Sequence, residues 1–303
     1  MEEKSLNLDI PGSVSEFEVL IRKVLPKNIF YQIVFGKGLE FDGYRDFSMD
    51  EDASAIDWKA TVRGGGKTLA RKYIEERDLK IMFLIDVSDN MVFGSTEKLK
   101  CEFAAELAAA LAHVILVSGD RVGFVLFNDK VVKMRMPGFG DRFFDIFSYE
   151  LSNPENYGGV SDLNKVLEDL IGKLDKSTSM VFVISDFLNI NEEHKKNLEL
   201  LSGLYETIAI VVKDPLDKSL PAVDKEVVIE NFRTHEKKLI NPLIAKYSYE
   251  INSLKQTDNL KRILRNSNID FSEYSTDSHF AINLAEFLKE RSQRRVYKKN
   301  DVH

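Results

Sequence analysis

Short, continuous runs of apolar residues alternate along most of this chain with longer stretches in which apolar residues recur every three or four positions. The short runs are typical of strands buried on both faces of a sheet, and the longer stretches are typical of helices with one apolar stripe. The predicted strands are Ile81–Ile85, Val122–Phe127, Val131–Met134, Met180–Ile184, Ile208–Val212, Val227–Ile229 and Asp270–Tyr274. The predicted helices are Phe17–Leu25 (with Ser13 as its cap), Thr96–Val117, Phe143–Tyr149, Leu163–Leu174, Glu192–Leu201, Leu239–Asn266 and His279–Arg291.

This alternation predicts an α/β fold, doubly wound, with a mainly parallel sheet and helices on both faces. Asn128-Asp129 between two apolar runs predicts a hairpin. From Tyr31 to Lys80, glycines, aromatic residues and charges mix without a helical period, so short strands and ordered loops are expected there. The predicted organisation is an N-terminal helix and β-rich extension over residues 1–79, an α/β domain over 80–291 and a basic tail over 292–303.

Composition narrows the classes of function. The chain has 303 residues and a formal net charge of −7, which argues against general nucleic-acid binding. Its single cysteine, Cys101, excludes internal disulfides and sites built from several cysteines. The sequence has no basic and apolar secretory pattern at its start and no apolar segment of the ~20 residues that span a bilayer. We therefore expect a cytoplasmic protein without a transmembrane segment.

Oxygen-bearing side chains follow two predicted strands and one glycine-rich loop. The candidate metal ligands are Asp86, Ser88, Asn90, Ser161 and Asp186. Because ligands of doubly wound sheets lie at the carboxyl ends of the strands, these side chains are expected to converge. Two carboxylates, two hydroxyls and an amide carbonyl suit Mg²⁺ or Mn²⁺, and Ca²⁺ less well. Without a cation, Asp86 and Asp186 would repel each other and the pKa of at least one would rise. The same residue types also serve as ordinary helix caps and turn residues.

Other motifs favour a non-enzymatic protein. Gly64-Gly65-Gly66-Lys67-Thr68 is not a phosphate-binding loop, because Thr61 stands where its first glycine is required; a turn between two strands is predicted instead. No serine or cysteine is paired with a histidine in a nucleophilic pattern. Trp58 is interpreted as an anchor that packs the N-terminal region rather than as an interaction hot spot.

The candidate ligands resemble the metal-ion-dependent adhesion site of von Willebrand factor A domains. In that pattern, Asp-x-Ser-x-Ser is followed by a distant Thr and a distant Asp. Those places are held here by Asp86, Ser88, Asn90, Ser161 and Asp186. The chain departs from the pattern by carrying Asn90 in place of Ser and Ser161 in place of Thr, and both replacements keep a neutral oxygen donor.

A longer resemblance is to the DUF58 family, whose members contain a von Willebrand A-like domain. The matching segments are Gly38–Phe41, Arg45–Phe47, Ile56–Arg63, Glu75–Asp78, Ile85–Asn90, Ser118–Gly123, Ile184–Phe187, Asp214-Pro215 and Ser275–Asp277. This resemblance implies an adaptor or chaperone-like partner of a MoxR-type AAA+ ATPase. The metal would bridge to an acidic residue of the ATPase or of a client protein.

Two alternatives remain open on the residues alone. The domain is a structural von Willebrand A-like module without an ion, or it is a metal-dependent phosphohydrolase. Against the hydrolase, the candidate general bases beside the proposed ligands are only Asp89 and Asp162.

Overall fold

The structure, a computed structural model, describes residues 6–25, 29–30, 41–48, 56–63, 67–73, 79–188, 190–230 and 237–300. Its strands are β1 (Phe41–Asp46), β2 (Leu69–Tyr73), β3 (Lys80–Asp86), β4 (Arg121–Phe127), β5 (Val131–Gly138), β6 (Met180–Ser185), β7 (Glu206–Lys213), β8 (Val227–Glu230), β9 (Lys237–Ile240) and β10 (Asp270–Ser275). Its α-helices are α1 (Ile10–Val24), α2 (Trp58–Arg63), α3 (Lys100–Val117), α4 (Asp141–Ser152), α5 (Leu163–Leu170), α6 (Glu192–Leu204), α7 (Pro215–Lys218), α8 (Pro242–Asn266) and α9 (Phe280–Asn300). The chain divides into two compact units, residues 1–27 with 79–289 and residues 28–78 with 290–303.

The larger unit is built on one six-stranded sheet in the order β10-β7-β6-β3-β4-β5. Neighbouring strands are parallel except β4 and β5, which are antiparallel. When the six strands of this sheet are numbered 1 to 6 in chain order, they follow the 3-2-1-4-5-6 order of a doubly wound sheet. The predictions of the α/β fold and of the Asn128-Asp129 hairpin are confirmed.

The central strands are buried because helices cover both faces of the sheet. On one face, Phe83 stacks on Phe182 with ring centroids 5.2 Å apart and packs against Phe147 of α4. On the other face, residues of α5, α6 and α8 form one apolar cluster with Met82 and Leu84. The uninterrupted apolar runs of the sequence are thus explained by burial on two sides.

The first helix belongs with the larger unit, whereas the predicted boundaries grouped it with the β-rich region. Glu106 of α3 accepts hydrogen bonds from the Asp9 backbone N–H at 2.6 Å and from the Ser13 hydroxyl at 3.1 Å. The cap of α1 is Asp9, which accepts from the Gly12 N–H at 3.0 Å, so the prediction of Ser13 as the cap is wrong. The side chain of Ser13 bonds to α3 instead.

The smaller unit contains the antiparallel pair β1–β2 and the short helix α2. Only strands and loops were expected in this region, and that expectation is wrong for α2. The helix forms because the Asp57 carboxylate accepts from the N–H groups of Lys59 at 3.0 Å and Ala60 at 3.1 Å. Trp58 is 66% exposed, so its interpretation as a packing anchor is also wrong. The predicted turn at residues 64–66 lies outside the described residues.

Other differences concern the ends of elements. Helix α3 begins at Lys100 rather than Thr96, because the Thr96 hydroxyl donates to the Lys98 carbonyl and holds a loop there. Leu239, expected in a helix, lies in β9, which pairs with β8 in a separate hairpin; α8 starts after the Asn241 cap. In the part of the chain that the structure describes, no helix combines the length and apolarity needed to cross a membrane.

Candidate functional site

Three segments distant in sequence meet around the carboxylate of Asp86, the last residue of β3. Its Oδ2 accepts from the Ser161 hydroxyl at 3.0 Å and from the Ser185 hydroxyl at 2.7 Å. Its Oδ1 accepts from the Ser88 N–H at 2.9 Å. Of the five predicted ligands, the structure joins Asp86, Ser88 and Ser161 by hydrogen bonds at the carboxyl edge of the sheet. Metal binding by these residues stays a prediction.

The glycine-rich loop reaches this edge through backbone hydrogen bonds. Gly158 N–H donates to the Val87 carbonyl, and the Gly159 carbonyl accepts from the Asp89 N–H, both at 2.8 Å. Gly159 has a φ of +86°, and a Cβ there would lie 2.7 Å from Nδ2 of Asn128. A larger residue would therefore meet both backbone strain and a clash. The glycine is needed to bring the loop, and with it Ser161, against Asp86.

A cavity of about 20 Å³ opens beside these residues, enough for one particle the size of a water molecule. It is lined by Asn90, Ser161, Leu163, Ser185, Asp186, Phe187, Leu188, Ile190 and His194. The hydroxyl of Ser88 is buried near the Asp86 carboxylate but makes no hydrogen bond of regular geometry with any residue that the structure describes. A ligand beside this hydroxyl would give it a well-aligned contact.

The electrostatics around Asp86 favour a cation. Burial, followed by the negative charge of Asp186, raises the pKa of Asp86 to about 6, although hydrogen-bonding groups of Ser88 and Ser185 act in the opposite direction. The expectation that one of the two carboxylates would have a raised pKa is confirmed. The Ser88 N–H and the hydroxyls of Ser161 and Ser185 are neutral donors, so they do not balance the charge of Asp86. A nearby cation would stabilise its ionised form.

Asp186, in contrast, forms hydrogen bonds with Lys100 and Lys213, two residues that were not predicted to belong to the site. The Lys100 ammonium lies 2.8 Å from Oδ2 of Asp186 and 3.2 Å from Oδ2 of Asp217. Lys213 donates to the backbone carbonyl of Asp186 at 2.9 Å, and the Leu188 N–H donates to its Oδ1 at 3.1 Å. Burial alone would lower the pKa of Lys100, but the two carboxylates raise it, so the ammonium is charged.

The sequence did contain signals for both lysines. Lys100 precedes Phe103 by three residues on the stripe of α3 that faces the core. Lys213 ends an otherwise apolar run of β7 and is buried. A charged residue on a buried stripe or strand indicates a buried partner.

A further buried carboxylate, that of Asp214, lies directly after β7. It accepts from the Ser95 N–H at 2.7 Å, the Ser95 hydroxyl at 2.5 Å, the Leu216 N–H at 2.9 Å and the Thr276 hydroxyl at 3.2 Å. Burial would raise the pKa of Asp214, but these hydrogen bonds lower it below its usual value. Asp214 therefore joins three loops of the sheet edge and caps α7.

The donor set fits a hard, oxygen-binding divalent ion better than a softer ion that prefers thiolate or imidazole ligands. Within the described residues, no cluster of three His, Cys, Asp or Glu side chains is placed to hold a metal. An ion here would instead use the hydroxyl, amide and carboxylate oxygens of the predicted ligands, which suits Mg²⁺ or Mn²⁺. Of the two candidate bases for a hydrolase, Asp162 caps α5 by accepting from the Lys165 N–H at 3.1 Å, and Asp89 is exposed.

Comparison with known families identifies the chain. The family model described as "Protein of unknown function DUF58" matches residues 43–256. The chain belongs to the DUF58 family. It is 27% identical over 202 residues to an uncharacterized protein of Mycobacterium tuberculosis and equally to one of Mycobacterium bovis. These matches cover 66% of this DUF58 protein but 62% of each relative, so it spans less than two thirds of their length.

Two solved structures align with this chain at low similarity. The conserved hypothetical protein BatB from Bacteroides thetaiotaomicron aligns with a TM-score of 0.43 and 11% identity, over 71% of this chain and 99% of that one. A von Willebrand factor type A from Catenulispora acidiphila aligns with a TM-score of 0.42 and 11% identity, over 75% of this chain and 44% of that one. Both likenesses are remote, and the doubly wound fold of this DUF58 protein is assigned from its own strand order.

Proposed function

We propose that this DUF58 protein is a protein-interaction module that captures an acidic residue of a partner through a divalent ion. Family membership and the von Willebrand A-like α/β fold support a protein-interaction role, although fold alone does not fix function. The observation that carries the proposal is that Asp86, Ser88 and Ser161 meet at the carboxyl edge of the sheet, where Ser161 lines a small cavity.

In this proposal, Mg²⁺ or Mn²⁺ is held by Asp86, Ser88, Asn90 and Ser161, with Asp186 as the fifth member of the set. The ion supplies a positive charge with open coordination positions that a carboxylate from outside can fill. Asp86 provides the negative charge, and the buried Ser88 hydroxyl beside it provides a neutral oxygen. Asn90 and Ser161 are only partly buried, which leaves the site open to a partner.

The proposed partner is a MoxR-type AAA+ ATPase or a client protein that offers an Asp or Glu. The protein then acts as an adaptor or chaperone-like subunit and not as an enzyme. This choice of partner comes from the family resemblance. The part of the proposal that concerns the ion depends only on the site.

A capture experiment tests the proposal. A MoxR-type ATPase from the same organism is applied to the immobilised DUF58 protein in Mg²⁺ and, separately, in EDTA. We expect capture in Mg²⁺, and loss of capture in EDTA or with Asp86→Asn. Asp89→Asn is the matched control, because Asp89 is the same residue type three positions along and is exposed. Capture that survives both EDTA and Asp86→Asn would overturn the metal-dependent mechanism.

A further inference from the structure

The ammonium group of Lys100 stands beside a carboxylate of the proposed ion site. The Lys100 side chain is 1% exposed, and its Nζ lies 2.8 Å from Oδ2 of Asp186. Asp217 approaches the same Nζ at 3.2 Å, and the ring of Phe93 lies 5.7 Å away, measured to its centroid. These contacts fix a full positive charge at this position.

Asp186 is already provided with partners on both carboxylate oxygens. Lys100 bonds to Oδ2, and the Leu188 N–H bonds to Oδ1 at 3.1 Å. Asp86, on the other side of the site, accepts the hydrogen bonds described above from neutral donors. The charge of the Asp186 carboxylate is therefore already balanced by an ammonium group, whereas the charge of the Asp86 carboxylate is not.

We propose that the ammonium group of Lys100 occupies the carboxylate of Asp186 and thereby competes with the divalent ion for this carboxylate. The ion is then held from the Asp86 side, by Asp86, Ser88, Asn90 and Ser161. Lys100 acts as a positioning residue that limits ion affinity, because its ammonium both occupies Asp186 and repels a second cation. This inference rests on the proposed ion site and concerns how tightly that site binds.

The inference follows from the cost of burying charge. A buried carboxylate that loses its ammonium partner strongly destabilises the folded protein, because the remaining charge is uncompensated. Lys213 does not replace Lys100 at the carboxylate, since its ammonium donates to the Asp186 backbone carbonyl. In the absence of Lys100, a divalent ion becomes the group that balances Asp186.

The test compares wild type with Lys100→Met by thermal unfolding and by Mn²⁺ titration calorimetry. Without divalent ions, Lys100→Met should unfold about 10 °C lower than wild type. Millimolar Mg²⁺ should recover at least half of that loss, and the affinity for Mn²⁺ should rise about tenfold or more because a nearby positive charge is removed. Adding Asp186→Asn to Lys100→Met should recover most of the metal-free loss in melting temperature and abolish the part of the Mg²⁺ stabilisation that exceeds that of wild type.

Two controls separate this effect from a general loss of packing. Lys98→Met removes an ion pair to Glu106 from the loop just before α3, and should respond to Mg²⁺ no more than wild type does. Asp186→Asn alone should change Mn²⁺ affinity by less than about threefold, whereas Asp86→Asn should abolish binding. If Lys100→Met does not fold even with Mg²⁺, the Asp186→Asn variant decides the test. A loss of Mn²⁺ affinity as large as that of Asp86→Asn would overturn the inference.

The outcomes for this inference and for the proposed function are distinct. If Mg²⁺ stabilises wild type and Lys100→Met equally, the inference is overturned and the proposed function stands. If Mg²⁺ stabilises Lys100→Met but wild type shows no ion-dependent capture, the inference stands and the proposed function is overturned. If neither protein responds to Mg²⁺ or Mn²⁺, both are overturned.

Discussion

Two buried aspartates at the same edge of the sheet have opposite electrostatic environments. Asp86 is 1% exposed and Asp214 is 0% exposed, so burial alone would raise the pKa of both. For Asp86, burial and Asp186 raise the pKa to about 6. For Asp214, four hydrogen bonds from Ser95, Leu216 and Thr276 overcome burial and lower it.

The difference separates a structural carboxylate from a functional one. Asp214 is satisfied within the protein, and its charge stabilises the loops that it joins. Asp86 is ionised at neutral pH, and this ionisation costs folding stability because the carboxylate is buried. Carboxylates with a pKa perturbed in this way are common at ligand-binding sites. The raised pKa coincides with a buried Ser88 hydroxyl that lacks a regular hydrogen bond and with a small cavity lined by Ser161 and Ser185, which both donate to Asp86.

The largest expected effect is that of Asp214→Asn. An amide nitrogen would replace one acceptor oxygen and face donor groups, so about 3 kcal/mol of unfolding free energy should be lost. We expect the melting temperature to fall by roughly 10 °C. Asp162→Asn, at the exposed cap of α5, is the matched control and should cost about 1 kcal/mol or less.

Asp86→Asn should behave in the opposite way without divalent ions. At Asp86, Oδ2 bonds to the hydroxyls of Ser161 and Ser185, which can rotate to accept from an amide. Because the ionised Asp86 destabilises the metal-free fold, its replacement should leave the free energy of unfolding unchanged or raise it by up to about 2 kcal/mol. Chemical denaturation in the presence of EDTA measures this difference. A loss as large as that of Asp214→Asn would contradict the distinction between the two carboxylates.

Much of this comparison could be anticipated from the sequence. The position of Asp86 after a continuous apolar run fixed its place at the sheet edge, and Gly158-Gly159 before Ser161 indicated a loop that approaches closely. The environment of each carboxylate could not be predicted, because it depends on side chains brought in by other segments. Lys100 and Ser95 reach their carboxylates across 86 and 119 residues of sequence.

The errors have a similar origin. The sequence around Trp58 has no helical period, and α2 forms there because of one local cap, Asp57. Trp58 was expected to be buried because large aromatic residues usually are, but burial is decided by neighbours and not by residue type. Periodicity therefore predicted the long elements well and the short, capped ones poorly.

The pH dependence of the two variants sharpens the comparison further. The raised pKa of Asp86 means that its ionisation costs stability increasingly as the pH rises from about 4 through about 6. The lowered pKa of Asp214 means that its contribution is complete above its unfolded pKa and is lost only as the pH falls through its folded value. Between pH 5 and 7 in EDTA, the difference between wild type and Asp86→Asn should therefore change by about 1 kcal/mol. Over the same range, the difference in unfolding free energy between wild type and Asp214→Asn should stay constant. A difference that changes for Asp214→Asn and stays constant for Asp86→Asn would contradict the distinction between the two carboxylates.

Ser161→Ala should have the smallest effect on stability. It removes one hydroxyl that donates to Asp86 from a partly buried position, so the metal-free free energy of unfolding should change by less than about 1 kcal/mol. Mg²⁺ affinity should nevertheless fall about tenfold, because a neutral oxygen ligand is lost, and Ser161→Thr should retain it. Ser152→Ala, which removes a hydroxyl on α4, is the control. If calorimetry shows equal Mg²⁺ affinity for Ser161→Ala and Ser152→Ala, Ser161 is not a ligand of the ion.

The most direct measurement is a crystal structure grown with Mn²⁺, in which anomalous scattering locates the ion. We expect a single anomalous peak within coordinating distance of Asp86 and the hydroxyls of Ser88 and Ser161, with Lys100 still bonded to Asp186. No peak at this edge of the sheet at millimolar Mn²⁺, or a peak only elsewhere on the protein, would contradict the ion-dependent capture of an acidic partner.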